Sequence, residues 1–170
     1  LDLSPLKKIA SNLVLHDKTA ADEVNERIQD AEIIIINKIK LDAATLSQAK
    51  KVKLICLVAT GTDNVDLVAA NKQGITVCNI KNYCTDSVAQ HVVLSILALS
   101  HHFDEYQLSL KQGLWQKSEQ FCLLEYPITE LSAKTLGIVG LGVLGTAVAN
   151  LAVSFGMRIL VAESFRPENN

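Results

Sequence analysis

Three glycines and one acid carry the clearest chemical signal in this sequence: Gly140, Gly142, Gly145 and Glu163. The apolar run Leu136 to Val139 leads into Gly140-x-Gly142-x-x-Gly145, and an amphipathic segment then runs to Phe155. Gly156 stops that segment, and a second apolar run, Ile159 to Ala162, ends at Glu163. Strand, glycine turn, helix, strand and acid in that order suit a dinucleotide. Gly140 permits a tight turn, Gly142 lets a pyrophosphate approach bare backbone, and Gly145 lets the helix pack close to the strand. The first helical residues, Val143 and Leu144, would then offer unpaired N–H groups and a partial positive charge to the phosphate. Glu163 stands near the spacing expected of an acid that binds the adenosine ribose hydroxyls. A glycine-rich turn in an ordinary α/β domain is the competing reading. The agreement of strand, helix and acid around the glycines favours the dinucleotide site.

Elements that could position these groups alternate along the whole chain. Ser4-Pro5 reads as a helix start, a short strand is expected at Leu13 to Leu15, and Thr19 is the expected cap of a helix to about Ile28. Ile33 to Ile36 is a continuous β-branched run, suited to a parallel strand buried on both faces. Asp42 opens a helix to about Ala49, Leu54 to Val58 is a strand, Val65 to Lys72 a helix, and Thr76 to Cys78 a strand. The most apolar helix follows, with Ser87-x-x-Gln90 as a possible capping box and Thr85 as a competing cap. It is apolar on nearly every side, so burial between layers is expected. A second helix, about Asp104 to Gln112, closes at Gly113, and a polar connector through Tyr126-Pro127 leads to the glycines. Alternation of this kind predicts an α/β fold with a doubly wound parallel sheet. The domain junction is expected on the apolar helix, giving 1–86 and 87–170.

Composition narrows the classes. The chain has 170 residues, 49% hydrophobic and 20% charged, with a net charge of −2. No basic run is present, so neither nucleic acid nor an anionic membrane surface is the expected partner. Ser87 to Leu99 is too short and too interrupted by Gln90, His91 and Ser95 to span a bilayer. No metal-type spacing joins Cys56, Cys78, Cys84 and Cys122; reduced, mostly buried thiols and a cytoplasmic location are expected. No signal peptide is visible, yet the chain starts at Leu1 and stops shortly after Glu163, as a piece of a longer protein would.

Several stretches together resemble the D-isomer-specific 2-hydroxyacid dehydrogenases: Thr60-Gly61-Thr62-Asp63-Asn64-Val65-Asp66, Gly74-Ile75-Thr76-Val77-Cys78-Asn79, Ser87-Val88-Ala89-Gln90-His91, Gly113-Leu114-Trp115, and Lys134 onward through Gly140. The runs Trp115-Gln116-Lys117-Ser118, Phe121-Cys122-Leu123-Leu124 and Phe155-Gly156-Met157 are similar to the glycerate dehydrogenase (hydroxypyruvate reductase) branch. The resemblance implies a flavodoxin-like substrate domain followed by the start of a Rossmann NAD-binding domain, with NAD as cofactor and a homodimer in the full-length protein. It implies NADH-dependent reduction of a small 2-keto acid to the D-2-hydroxy acid, with hydroxypyruvate and D-glycerate the leading pair. Thr60, Gly61 and Thr62 would cradle the substrate carboxylate with backbone N–H groups. A glycine just past a parallel strand's C-terminal end suits that task, although a plain strand-to-helix turn uses the same residues. Cys84 and Thr85 match positions near the nicotinamide, and their plain reading is a turn residue and a helix cap.

Val143 stands where many members carry a polar or basic side chain, so only its backbone can contribute, and Ala133 and Gln90 replace a commoner glycine and glutamate. The family's catalytic arginine, acidic partner and general-acid histidine match positions beyond Asn170. His91 reads as a packed, hydrogen-bonded helix residue, His101 and His102 as helix-end residues, and His16 as the end of a strand; none is expected to be catalytic. A non-catalytic NAD-sensing regulator on the same scaffold is the alternative of a different class. A sister dehydrogenase of formate or another 2-hydroxy acid is the alternative within the class.

Overall fold

A computed structural model describes residues 2–162, so Leu1 and 163–170, Glu163 and Arg166 among them, lie outside the described residues. The chain forms two compact units, Leu1–Lys81 and Asn82–Asn170.

In the first unit α1 (Ser4–Ile9) is followed by irregular chain, a 3-10 turn at Ala21–Glu23 and α2 (Val24–Ile28). Strand β1 (Ile33–Ile36), α3 (Ala43–Gln48), β2 (Leu54–Leu57), α4 (Leu67–Lys72) and β3 (Thr76–Cys78) then alternate. The three strands form a parallel sheet in the order β1-β2-β3, with Ile34 opposite Ile55 and Ile55 opposite Val77. Side chains alternate across a strand, so these residues share one face. Ile34 and Ile55 are buried there in one cluster with Val24, Ile28, Leu46 and Ala70 from the helices. Leu41, Leu46, Ile55 and Leu57 are fully buried, and each contributes about 1.5–3 kcal/mol of apolar transfer. The opposite face carries Ile33 and Ile35, which are 59% and 44% exposed. The isoleucine run is therefore parallel as expected but buried on one face only, because the helices that reach the cluster, α2, α3 and α4, pack on the side of Ile34 and Ile55.

Local caps explain where the helices start. Asp42 caps α3, accepting from Thr45 N–H at 3.0 Å, and Asp66 caps α4, accepting from Ala69 N–H at 2.9 Å. Two other helix starts and one expected strand differ from the sequence reading. Ser4 lies inside α1, and it is Asp2 whose carboxylate accepts its N–H at 2.9 Å. Thr19 caps nothing: Glu23 reaches back to Ala20 N–H at 2.7 Å, while the Thr19 hydroxyl accepts from Arg27 at 2.7 Å. Leu13 to Leu15 is not a strand; a three-residue run without a neighbouring strand leaves its backbone to water, and Val14 and Leu15 are exposed.

The second unit contains α5 (Thr85–Ser100), α6 (Phe103–Lys111), α7 (Leu114–Lys117), β4 (Thr135–Val139), α8 (Val143–Ser154) and β5 (Arg158–Ala162). Strands β4 and β5 are parallel and joined through α8, which packs against both strands and against α5. The buried residues of the two helices are alanines, Ala89 on α5 and Ala149 and Ala152 on α8, which allow close backbone approach. The long apolar helix is not enclosed as expected. Ala89 is its one buried residue and Leu99 is 78% exposed, because α8 covers only one stripe of it. The supposed polar connector also holds a helical turn, α7, and is tied down by Tyr106. That hydroxyl donates to Tyr126 O at 2.7 Å and accepts the Tyr126 N–H at 3.3 Å, and the two rings meet edge to face.

Candidate functional site

Both units carry candidate residues, one group in the first and two in the second. In the first unit, β2 ends at Leu57 and the chain turns through Thr60, Gly61 and Thr62 before Asp66 starts α4. Thr60 and Gly61 are exposed and Thr62 is half-buried. Among the described residues, the N–H groups of Thr60, Gly61 and Thr62 donate to no protein acceptor. Three consecutive free donors at the C-terminal end of a parallel strand can accept an anion.

The turn is braced from both sides. Ile80 N–H donates to Ala59 O at 3.1 Å and Asn79 Nδ2 to Thr60 O at 2.7 Å, extending the β2–β3 pairing past the end of the sheet. At the far end, Asn64 Nδ2 donates to Asn37 O at 3.1 Å and Ile39 O at 2.8 Å, and Asn64 O accepts from Leu41 N–H at 2.8 Å. Sequence reasoning gave Asn79 and Asn64 no task. The available signal was an asparagine one residue beyond a strand and another at the end of a glycine-bearing turn, where amide side chains commonly bind backbone. Gly61 has ordinary negative-φ backbone, and a Cβ on it would meet Asp63 Oδ1 at 2.9 Å, the movable end of a side chain. Its value here is its bare, accessible N–H.

In the second unit, β4 runs directly into the glycine turn. Gly140 has φ +92°, a conformation that L side chains rarely adopt. Gly142 is the N-cap of α8 with extended backbone, and a Cβ built on it would meet nothing within 4 Å. Gly145 is the opposite case. A Cβ there would collide with the Gly140 carbonyl oxygen and approach Ile138 Cγ2 at 3.4 Å. The helix thus starts in contact with the turn it leaves. Thr146 N–H closes the first helical bond, to Gly142 O at 2.9 Å, which leaves the N–H groups of Val143, Leu144 and Gly145 at an exposed helix start. Open space above Gly142 and three donors beside it that are unpaired among the described residues fit a pyrophosphate, with the helix dipole favouring its charge. The fit comes from this chain's own backbone. Val139 pairs with Ala162, so the residues preceding Gly140 and Glu163 are neighbours across the sheet. Glu163 itself is outside the described residues.

Cys84 is the N-cap of α5 and Thr85 its first residue; both are half-buried. Neither Thr85 nor Ser87 caps the helix with its side chain, and the Ser87 hydroxyl instead donates to Cys84 O at 3.1 Å. The residue before the helix is a cysteine, a weak acceptor, and the Ser87 hydroxyl shares the Cys84 carbonyl with Val88 N–H, which donates to it at 2.9 Å. All four cysteines are free, but none is buried: Cys78 is exposed and the other three are half-buried. Cys56 and Cys78 lie opposite one another on β2 and β3, and burial, then its neighbour Cys78, pushes the Cys56 thiol up.

His101 and His102 stand at helix ends as expected, as the C-cap of α5 and the N-cap of α6, whereas His91 and His16 sit differently from the sequence reading. His91 is exposed on α5, since the buried stripe of that helix passes through Ala89. His102 has left-handed backbone (φ 50°), stacks on Tyr126 at 5.8 Å and faces Glu105 at 3.7 Å, a structural setting between two helices. His16 follows irregular chain and is exposed. Among the described residues, no cluster of three or more potential metal ligands occurs, and no helix is long and apolar enough to cross a membrane.

Residues 2–166 match the family described as D-isomer specific 2-hydroxyacid dehydrogenase, catalytic domain. A glycerate dehydrogenase of Methylorubrum extorquens is 46% identical over 144 residues, covering 85% of this chain and 46% of the relative. A hydroxypyruvate reductase of Blautia hydrogenotrophica is 31% identical over 156 residues, 90% of this chain and 48% of the relative. Among solved structures, the D-lactate dehydrogenase of Aquifex aeolicus complexed with NAD and lactic acid superposes with a TM-score of 0.69 at 31% identity, over 85% of this chain and 42% of that one. The chain spans about half the length of the curated relatives it matches.

Proposed function

The chain belongs to the D-isomer-specific 2-hydroxyacid dehydrogenase family, and on that premise we propose that it forms part of an NADH-dependent reductase of a small 2-keto acid, hydroxypyruvate before others. The observation that carries this reading is the pair of anion-ready backbone turns. One is the three free N–H groups at Thr60, Gly61 and Thr62, sized for a carboxylate; the other is the open, donor-rich start of α8 at Gly142 to Gly145, sized for a pyrophosphate. The relatives named for glycerate and hydroxypyruvate support the substrate.

The nicotinamide cofactor, when bound, supplies the hydride. What this chain contributes is position. The turn after β2 would fix the keto acid by its carboxylate, which sets the orientation of the keto carbon next to it. The helix start of α8 would fix the pyrophosphate, and Glu163 would accept the ribose hydroxyls. Cys84 and Thr85 would lie toward the nicotinamide. No residue of this chain is assigned the proton transfer, and a full-length homodimer is part of the proposal.

Two experiments test it. The full-length protein should oxidise NADH, followed at 340 nm, with hydroxypyruvate above the other members of a panel holding glyoxylate, pyruvate and 2-ketobutyrate, and should oxidise formate poorly. Binding of NADH without turnover of any 2-keto or 2-hydroxy acid would replace this reading with that of an NAD-sensing regulator. The 170-residue chain alone should show none of this turnover. General acid–base assistance is worth about 10²–10⁴ in rate, so activity within about a hundredfold of the full-length protein would mean that the acid lies within these residues.

A further inference from the structure

The turn that carries Thr60 to Thr62 is exposed, yet one of its peptides is held at a single angle by a residue from the next strand. Asn79 follows β3 and donates its side-chain N–H to Thr60 O at 2.7 Å. A trans peptide points its C=O and the following N–H in opposite directions. A bond that draws Thr60 O toward β3 therefore turns Gly61 N–H away from β3. The same bond polarises the peptide it joins, and a peptide whose carbonyl is already bonded is a stronger donor at its N–H. Ile80 N–H on Ala59 O, at 3.1 Å, fixes the preceding peptide to the same strand, so the side chain of Asn79 takes over where the backbone ladder stops.

We propose that Asn79 is a positioning residue for substrate: it aims and strengthens the Gly61 N–H that binds the keto-acid carboxylate. The inference rests on the carboxylate role of Thr60 to Thr62 given above. It assigns Asn79 no contact with the cofactor or with the reacting carbon. Its structural contribution is small, because it is half-buried and its amide lies outside the core cluster of the unit.

The test is a double-mutant cycle on the full-length protein with Asn79→Ala and Gly61→Pro. Gly61→Pro deletes the N–H itself. Asn79→Ala should raise KM for hydroxypyruvate about tenfold, the loss expected when one hydrogen bond to a charged group is misaimed. The saturating rate kcat and the Kd for NADH should stay within about twofold, a split that follows from uniform binding and not from loosened structure. In the Gly61→Pro background, Asn79→Ala should add nothing, since the donor that it aims is gone. If Asn79→Ala does not accumulate as folded protein, Asn79→Leu takes its place in the cycle; it is of similar size, adds no charge and lacks the N–H donor. An unchanged KM for Asn79→Ala, or an increase of the same factor in both backgrounds, overturns the positioning role while the Gly61→Pro effect keeps the carboxylate turn intact. An unchanged KM for Gly61→Pro itself removes the carboxylate reading, and the role of Asn79 falls with it.

Discussion

Gly142 and Gly145 belong to the same motif, and the structure predicts opposite consequences for adding one methyl group to each. At Gly145 the new Cβ would overlap the Gly140 carbonyl oxygen and sit 3.3 Å from its carbon, against backbone and not a movable side chain. Relief requires the start of α8 and the turn to separate, and Gly140 already holds φ +92°. Overpacking of this kind costs about 1–3 kcal/mol, and rigid backbone on both sides puts Gly145→Ala at the upper end. At about 2–4 °C per kcal/mol for a cooperative unit of about 150–250 residues, Tm of the transition that unfolds this part of the protein falls by about 6–12 °C. Gly142→Ala meets nothing within 4 Å and has negative φ, so its stability is unchanged or rises by about 0.4–1 kcal/mol through the unfolded state. Its methyl group nevertheless occupies the space proposed for the pyrophosphate. Displacing the phosphate from one charge-assisted bond is worth about 1.5–3 kcal/mol, or about ten- to a hundredfold in Kd. The assay pairs thermal unfolding of the full-length protein with fluorescence titration of NADH. Gly142→Ala should be thermally normal and weak for NADH. If it bound NADH as the unsubstituted protein does, the phosphate would not approach that residue and the dinucleotide reading of the turn would be wrong.

Three further outcomes follow from single residues. Glu163 should make kcat/KM higher with NADH than with NADPH, because a carboxylate repels a 2′-phosphate; equal values for the two cofactors would remove its ribose role. Asn64→Ala deletes two side-chain bonds to the carbonyls of Asn37 and Ile39, and at about 0.5–1.5 kcal/mol each should lower stability by about 1–3 kcal/mol, measured by urea unfolding. An unchanged midpoint would show that this end of the turn is held by backbone alone. The Asp42 carboxyl is held below the usual carboxylate range, first by the Thr45 backbone N–H. Its folded pKa is thus lower than its unfolded one, so its stabilisation is full above the ordinary carboxylate range and fades as pH falls toward the folded pKa. Asp42→Ala should accordingly be less stable than the unsubstituted protein at pH 7, with the gap closing in acid; a gap that widened in acid would contradict the sign.

The parts of the fold legible in the sequence are those written in local chemistry. Asp42 is read correctly as a cap because its acceptor serves an N–H three residues away, and the glycines of the second unit announce their turn because positive φ and close approach exclude other residues. Strands separated by helical segments do form parallel sheets. Burial was not legible in the same way. Ile33, Ile35 and Leu99 are as apolar as Ile34 and Ile55, and a residue type does not state what will lie over it. The packed alanines of α5 and α8, not the larger leucines and valines, define where those helices meet. Caps proved ambiguous wherever two acceptors compete within four residues, as at Asp2 and Ser4 or Thr19 and Glu23. The brace on the Thr60 to Thr62 turn was missed because Asn79 is near Thr60 only through the pairing of β2 with β3, a relation across about twenty residues that no local pattern encodes.

That same pairing scheme bears on how the chain reaches its fold. Every described strand pair joins consecutive strands, Ile33 with Leu54, Leu54 with Thr76 and Thr135 with Arg158, each about twenty residues apart. Parallel sheets commonly fold slowly because distant strands must find one another before contacts repay the lost loop entropy. Here each loop is short and already shortened further by a helix. At synthesis rates of about 5–20 residues per second, β1 has its partner about one to four seconds after it is made, and β3 then adds to a pair already formed. The first sheet can therefore grow strand by strand behind the ribosome, each new strand becoming one of its two edges while β1 remains the other.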